Sequence, residues 1–248
     1  MSLLYDANGD RLTLPAVVPT GAVSIGVWFF PTDDTARQSL WHHLANDIQL
    51  TFRGDLAGDP FDCFRGGSVA YGTAAAPAAN FAHYGLNKFL SLMFRSSAGN
   101  PATIRIGDET NPPALPSSFT TQTNLNTPTT SSAQIYVGSN SNTARWIRGR
   151  VGAFWWWNGY ELTDSEVDAW WLDPWGYRPE RGTTFTAPYD WGRLGINGTT
   201  DVPSEMGLGA GTITGLSSAD RQPSRVFPGG WPLLLPKRLM AMQPLLVR

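Results

Sequence analysis

One stretch leaves this chain few choices of fold: Val151–Trp175, reading VGAFWWWNGYELTDSEVDAWWLDPW. Side chains alternate along a strand, so Val151, Ala153, Trp155 and Trp157 fall on one side and Gly152, Phe154 and Trp156 on the other. Both sides are apolar or small, which predicts a strand covered twice, as in the middle of a layered sheet. Asn158-Gly159 supplies residues that tolerate the positive φ of a turn. Thr163-Asp164-Ser165-Glu166 then has capping-box spacing, in which Thr163 and Glu166 satisfy each other's free backbone N–H groups. Val167, Trp170 and Trp171 follow at i, i+3 and i+4, one face of a helix. Pro174 stops that helix, because the residue before a proline is pushed out of helical geometry.

Everything before this stretch reads as short strands. Ser2–Asp6 and Arg11–Leu14 predict a hairpin through Asn8-Gly9. Ala22–Phe30 is a strand with Val23, Ile25, Val27 and Phe29 on one face, ended by Pro31. Ser39–His42 and Asp47–Arg53 form the next pair. In the second, Ile48, Leu50 and Phe52 alternate with Gln49, Thr51 and Arg53, the pattern of a sheet wet on one side. Asp55–Asp59 is a turn, and Phe61–Phe64 and Ser68–Tyr71 are two further short strands. Thr73–Asn80 reads as an Ala-rich loop. Lys88–Arg95, with Leu90, Leu92 and Phe94 inward, pairs with Ala102–Ile106 across Gly99-Asn100-Pro101. Glu109–Ser132 is a long polar loop. Gln134–Gly138 and Arg145–Trp157 predict a last hairpin turning at Ser139–Thr143. Strands at such spacing, with 26 Gly and 19 Pro to turn between them, are the mark of a sandwich.

Past Trp175 the pattern breaks. Residues 177–248 keep neither period, and Gly and Pro recur throughout. From Gln222 onward there are four basic residues and no acid, together with Phe227, Trp231, Leu233, Leu234, Leu235, Leu239, Met240, Leu245 and Leu246. A solvated tail is not so apolar. Prolines at 223, 228, 232, 236 and 244 oppose both a long helix and a central strand. An extended arm that shelters those side chains on other subunits satisfies both facts; folding back on its own body is the alternative.

The segment Arg150–Trp155, Asn158-Gly159, Leu162–Val167 and Asp173-Pro174-Trp175 resembles the closing unit of laminin-G-like, concanavalin A-like jelly rolls of the kind found in bacteriophage structural proteins. Asp10–Leu14 and Ala22–Phe29 are similar to the opening of such domains. The resemblance covers roughly residues 1–176 and speaks more to fold than to function. It implies an all-β, two-sheet antiparallel jelly-roll sandwich with one short helix. Residues 1–176 would be the laminin-G-like domain and 177–248 the extended C-terminal arm. Capsid decoration proteins can use such bodies over capsomer junctions, so the expected role is a non-enzymatic virion component. Its arm would dock on neighbouring subunits such as a major capsid protein or tail components. A homo-oligomer, with a trimer at threefold capsid positions, follows from the same analogy. A carbohydrate-binding adhesion module on a phage tail, baseplate or head fibre is the other reading.

Chemistry-bearing patterns are sparse. Retaining glycosidases of this fold need two carboxylates about 5–5.5 Å apart. Glu166-Val167-Asp168-Ala169-Trp170-Trp171 approaches their strand pattern but lacks its last Glu and lies on a helix. His42 and His43 are adjacent, so on a strand they face opposite sides and share no metal, and His83 is isolated. The loop acids Asp33, Asp34, Asp55, Asp59 and Asp62 have no spacing that specifies the six to eight oxygens of calcium. No metal site and no cofactor are therefore expected. Cys63 is a lone cysteine, which rules out an intrachain disulfide. Trp41, Trp146 and Trp175 are the aromatics left free to stack on a sugar. Arg148 and Arg150 share a strand face with Trp146 and predict a small polar patch, too narrow for nucleic acid at a net charge of −2. With no basic, apolar leader and no long apolar run, neither secretion nor a membrane partner is expected, and assembly into a virion in the host cytoplasm is.

Overall fold

The computed structural model describes residues 2–18, 22–44, 48–53, 61–65, 69–72, 86–97, 103–115, 132–140, 145–173, 185–189, 201–202, 211–214 and 221–222. The strands are β1 (Ser2–Tyr5), β2 (Arg11–Val17), β3 (Val23–Pro31), β4 (Arg37–His43), β5 (Ile48–Arg53), β6 (Phe61–Arg65), β7 (Val69–Gly72) and β8 (Leu90–Ser96). They continue with β9 (Thr103–Asp108), β10 (Ala133–Val137), β11 (Gly149–Asn158), β12 (Phe185–Tyr189), β13 (Asp201–Val202), β14 (Gly211–Thr214) and β15 (Arg221–Gln222). Among the described residues one helix, α1 (Asp164–Leu172), follows β11. The first sheet has the order β15-β1-β11-β3-β8-β9, with β12 also on β11; the second is β13-β14-β2-β10-β4-β5-β6-β7. Every described pairing is antiparallel.

The core lies between the sheets. Val23, Ile25, Val27 and Phe29 of β3 and Leu90, Leu92 and Phe94 of β8 supply one side, as their alternation predicts. Leu12, Leu14, Leu50, Phe52, Ile135 and Val137 answer from the second sheet. Each such side chain, fully buried, contributes roughly 1.5–3 kcal/mol. Trp41 stands at the centre, 5.6 Å from the ring of Phe94 and edge-on to Trp156 at 6.1 Å. A second apolar layer covers the other face of the first sheet. There Trp28, Met93, Trp155 and Trp157 meet Leu162 and the Val167, Trp170 and Trp171 face of α1.

β11 is thus covered on both sides, but strict alternation misplaces one residue. The register against β3 shifts between Val151 and Ala153, a bulge. An extra residue reverses the side-chain phase. Val151 therefore joins Phe154 and Trp156 in the inter-sheet core, while Trp155 and Trp157 face the helix. The helix begins as its sequence requires: Glu166 N donates to Thr163 Oγ1 at 3.3 Å and Thr163 N donates to Glu166 Oε2 at 2.7 Å.

Two expected hairpins are instead crossings between sheets. β1 pairs with β11 and β2 with β10, so the turn at Asn8-Gly9 carries the chain over the sandwich edge. The Asp10 carboxylate holds it by accepting from the N–H groups of Asp6 and Ala7 at 3.0 and 2.9 Å. Likewise β10 and β11 lie in different sheets. A local bridge between Ser139 and Trp146 forms, as a hairpin signal predicts, and the chain then leaves for the other sheet. The expected wet face of β5 also fails: Gln49 and Thr51 are buried, and Gln49 Nε2 donates to Ser39 Oγ at 3.0 Å.

Past residue 176, β12 pairs with β11, β14 with β2 and β15 with β1. The segment read as one arm therefore adds strands to both sheets as far as Gln222. Residues 223–248, with the arm positions Phe227, Trp231, Leu233, Leu234, Leu235, Leu239, Met240, Leu245 and Leu246, fall outside the described residues. So do the loops expected at 55–59 and 73–80 and most of that at 109–132.

Candidate functional site

The second sheet turns Leu12, Leu14, Ile135, Val137, Leu50 and Phe52 inward, so the residues between them form its outer face. Cross-strand register sets Thr212 opposite Thr13, Thr13 opposite Tyr136, Tyr136 opposite His42, and His42 opposite Gln49. One row of hydroxyl, phenol, imidazole and amide groups thus crosses five strands. Directly paired residues share a face, and their side chains interact across the strands. In the next row Thr214 lies opposite Arg11. The Arg11 guanidinium sits over the Tyr136 ring, 4.8 Å from its centroid.

Exposure divides this face. His42 and Gln49 are buried, whereas Arg11, Thr13 and Tyr136 are half-buried and Thr212 and Thr214 are exposed. The accessible part is therefore the β14-β2-β10 end, with one aromatic ring, one guanidinium and three hydroxyls. Such a set can lie against a sugar ring and hydrogen-bond its hydroxyls.

Sequence reasoning missed this cluster. Its signal was present in Gln134 and Tyr136 alternating with Ile135 and Val137, which turns the ring outward. What brings Arg11 and Thr13 beside it is register, which a single strand does not encode.

The aromatics chosen from sequence fare differently. Trp41 has no exposed surface and packs in the core, so it offers a sugar nothing. The cause is a register shift between Ser39 and Trp41, which turns both Leu40 and Trp41 inward. Trp146 is half-buried, packs against the core and carries the Arg148 guanidinium 5.5 Å from its ring centroid. Trp175 falls outside the described residues. Nor do Arg148 and Arg150 form a shared patch. Arg148 pairs with Asp33, and its backbone N–H donates to Gln38 Oε1 at 2.7 Å. Arg150 lies over Phe30, 5.2 Å from its centroid.

Several of the described carboxylates have structural partners. Burial works against the charged form of Asp33, but hydrogen bonds from Thr35 and Arg148 outweigh it and hold the pKa at about 2. Burial likewise opposes ionisation of Asp108. The N–H groups of Thr110 and Asn111, the Thr110 hydroxyl and Lys88 Nζ at 3.0 Å still hold it well below the usual range. Glu166 caps the helix and accepts from the Tyr160 hydroxyl at 2.6 Å. His43 turns inward, its ring 6.0 Å from that of Trp156, so the two histidines face opposite sides. Among the described residues no group of three or more His, Cys, Asp and Glu is placed to hold a metal ion.

No family model matches the chain, and no curated protein does. Solved structures are similar in fold. A protein from Bacteroides ovatus assigned to carbohydrate binding superposes with a TM-score of 0.57 at 10% identity, over 84% of this chain and 58% of that one. The chain thus spans little more than half the length of that protein. A heptameric SAP-like pentraxin from Limulus polyphemus gives 0.52 at 12% identity, over 88% of this chain and 95% of that one. Tailspike protein 2 of an Escherichia coli O157:H7 bacteriophage gives 0.49 at 11% identity, over 66% and 23%. With two antiparallel sheets and one short helix among the described residues, and with the first two of these likenesses, the chain has a concanavalin A-like jelly-roll sandwich fold.

Proposed function

We propose that this chain is a non-catalytic glycan-binding jelly roll of a phage virion. The observation that carries the glycan reading is the accessible end of the second sheet, where Tyr136 lies beneath Arg11 and opposite Thr13, with Thr212 and Thr214 on the strand beyond. With Arg11 over one face of the ring, the guanidinium and the neighbouring hydroxyls supply hydrogen bonds that fix a sugar's orientation, and the rest of the half-buried ring supplies apolar contact. The non-catalytic part rests on three of the described carboxylates: Glu166 caps a helix, Asp33 holds Arg148 and Asp108 holds Lys88. A glycan array probed with the intact chain tests this reading. The expected result is a confined set of hits that Tyr136→Ala removes while the melting temperature holds. A blank array, or hits indifferent to that substitution, overturns it.

A second reading, capsid decoration through an arm, is favoured by one specific feature. Residues 223–248 are apolar, basic and rich in proline. They follow β15, which lies at the edge of the first sheet. In this reading Phe227, Trp231 and the leucines through Leu246 anchor on neighbouring virion subunits, and the chain works as a homo-oligomer such as a trimer. Deleting 223–248 spares every described strand. The deletion should therefore leave the fold intact and abolish incorporation into particles; unchanged incorporation counts against the arm.

A further inference from the structure

We infer that the glycan taken by the outer face of the second sheet is an acidic one, bearing a carboxylate or sulfate that Arg11 recognises; this rests on the glycan-binding reading above. Arg11 differs from the arginines held by carboxylates, and Arg150, which likewise lies over a ring with its Nε buried without an acceptor, belongs to β11 of the first sheet and not to this face. Arg95 and Arg105 both pair with Asp164, and Arg148 pairs with Asp33. Among the described residues Arg11 has no carboxylate partner, and its Nε is buried without a hydrogen-bond acceptor. It stacks on the ring of Tyr136. Stacking of this kind fixes the guanidinium plane and leaves its terminal N–H groups for the oxygens of an anion.

The surroundings match such a ligand. Thr13 and Tyr136 flank Arg11 on its own face, and exposed Thr214 lies directly opposite. Hydroxyls beside a stacked cation suit a molecule that carries ring hydroxyls and a charged group together. Asp201 belongs by register to the row of Thr212 and Thr13, not to that of Arg11. A carboxylate or sulfate can accept two parallel N–H bonds from one guanidinium, which a neutral hydroxyl cannot do.

Titration calorimetry on the full chain tests this with three probes: sialyllactose, a heparin-derived tetrasaccharide and lactose. At least one acidic probe should bind about tenfold or more tighter than lactose, the scale of a charge-assisted bidentate contact. Raising salt from about 50 mM to about 500 mM should weaken the acidic probe and leave lactose unchanged, since a half-exposed charge is screened. Arg11→Gln should abolish the preference, and Arg11→Lys, which keeps the charge but not the fork, should restore part of it. Melting curves for both variants should match the parent, as the side chain is half-exposed. If lactose binds as tightly as the acidic probes, or Arg11→Gln leaves the preference intact, the acidic class is wrong while glycan binding stands. If no probe binds and the array is blank, the glycan reading itself fails.

Discussion

The Arg95 guanidinium, on β8, meets the Asp164 carboxylate at the first turn of α1, 2.8 Å away. The same arginine donates to the backbone oxygen of Leu162 at 2.6 Å. Arg105 reaches the other oxygen of Asp164 at 2.5 Å. Helix and sheet are thus joined by charge at the rim of a tryptophan layer. The two bonds of Arg95 differ in worth. Asp164 is 64% exposed, so its ion pairs are screened and contribute about 0–1 kcal/mol each. The bond to Leu162 O is buried, and hydrogen bonds to charged groups there contribute about 1.5–3 kcal/mol. Asp164→Asn should therefore shift urea stability little, and Arg95→Met by about 1.5–3 kcal/mol. Equal losses from the two substitutions would show that the ion pair, not the carbonyl contact, holds the helix.

Gly26 lies where β3 passes beneath the helix. A Cβ there would come within 2.8 Å of Trp170 Cζ2 and 3.2 Å of Met93 Cε. Trp170 also faces the rings of Trp28, Trp155 and Trp157 at 6.2, 5.2 and 6.3 Å, so it has little room to give way. Gly26→Ala should cost about 1–3 kcal/mol through overpacking, with altered near-ultraviolet dichroism from the displaced indoles. A variant that melts like the parent with an unchanged spectrum would mean that the helix lifts freely.

Trp170→Ala tests the same layer from the opposite side. It removes a side chain with no exposed surface, and large-to-small changes at such sites cost about 3–5 kcal/mol. The inter-sheet core does not include Trp170, so a chain destabilised to that degree should still keep β-rich far-ultraviolet dichroism at low temperature. Loss of the sheet signal under those conditions would make the helix layer a condition of sandwich formation.

Local signals in this sequence were legible, and their destinations were not. The capping box at Thr163 and Glu166, the apolar face of β3 and that of β8 needed only spacing. Asn8-Gly9 and Ser139–Thr143 do turn the chain, yet each turn hands it to the other sheet. A turn signal reports a reversal and carries no record of which strand waits beyond it. The same limit explains Val151 and Trp41. Each lies beside a register shift that reverses the side-chain phase, and an extra residue in a strand has no compositional mark here. The stacking of Arg11 on Tyr136 required two strands, β2 and β10, in register, which sequence alternation cannot supply.

Among the described residues, two carboxylates are depressed on folding. Asp33 has its pKa held at about 2, with burial opposed by Thr35 and Arg148, and Asp108 lies lower still, with burial opposed by Thr110, Lys88 and Asn111. An unfolded chain titrates its aspartates near about 3.9. Both groups are therefore depressed on folding, so the unfolded state binds more protons as pH falls. The stability they contribute is fully present above about pH 4 and is lost as pH drops through about 2 and below. The parent's melting temperature should fall steeply across that window. Asp108→Asn should start lower at neutral pH, since it gives up the Lys88 pair, and then fall less steeply because one linked proton is gone. Asp33→Asn should do the same to a smaller degree, because the Asp33 carboxylate is more exposed than that of Asp108. Parallel curves for parent and both variants between about pH 4 and about pH 2 would assign acid unfolding to other groups.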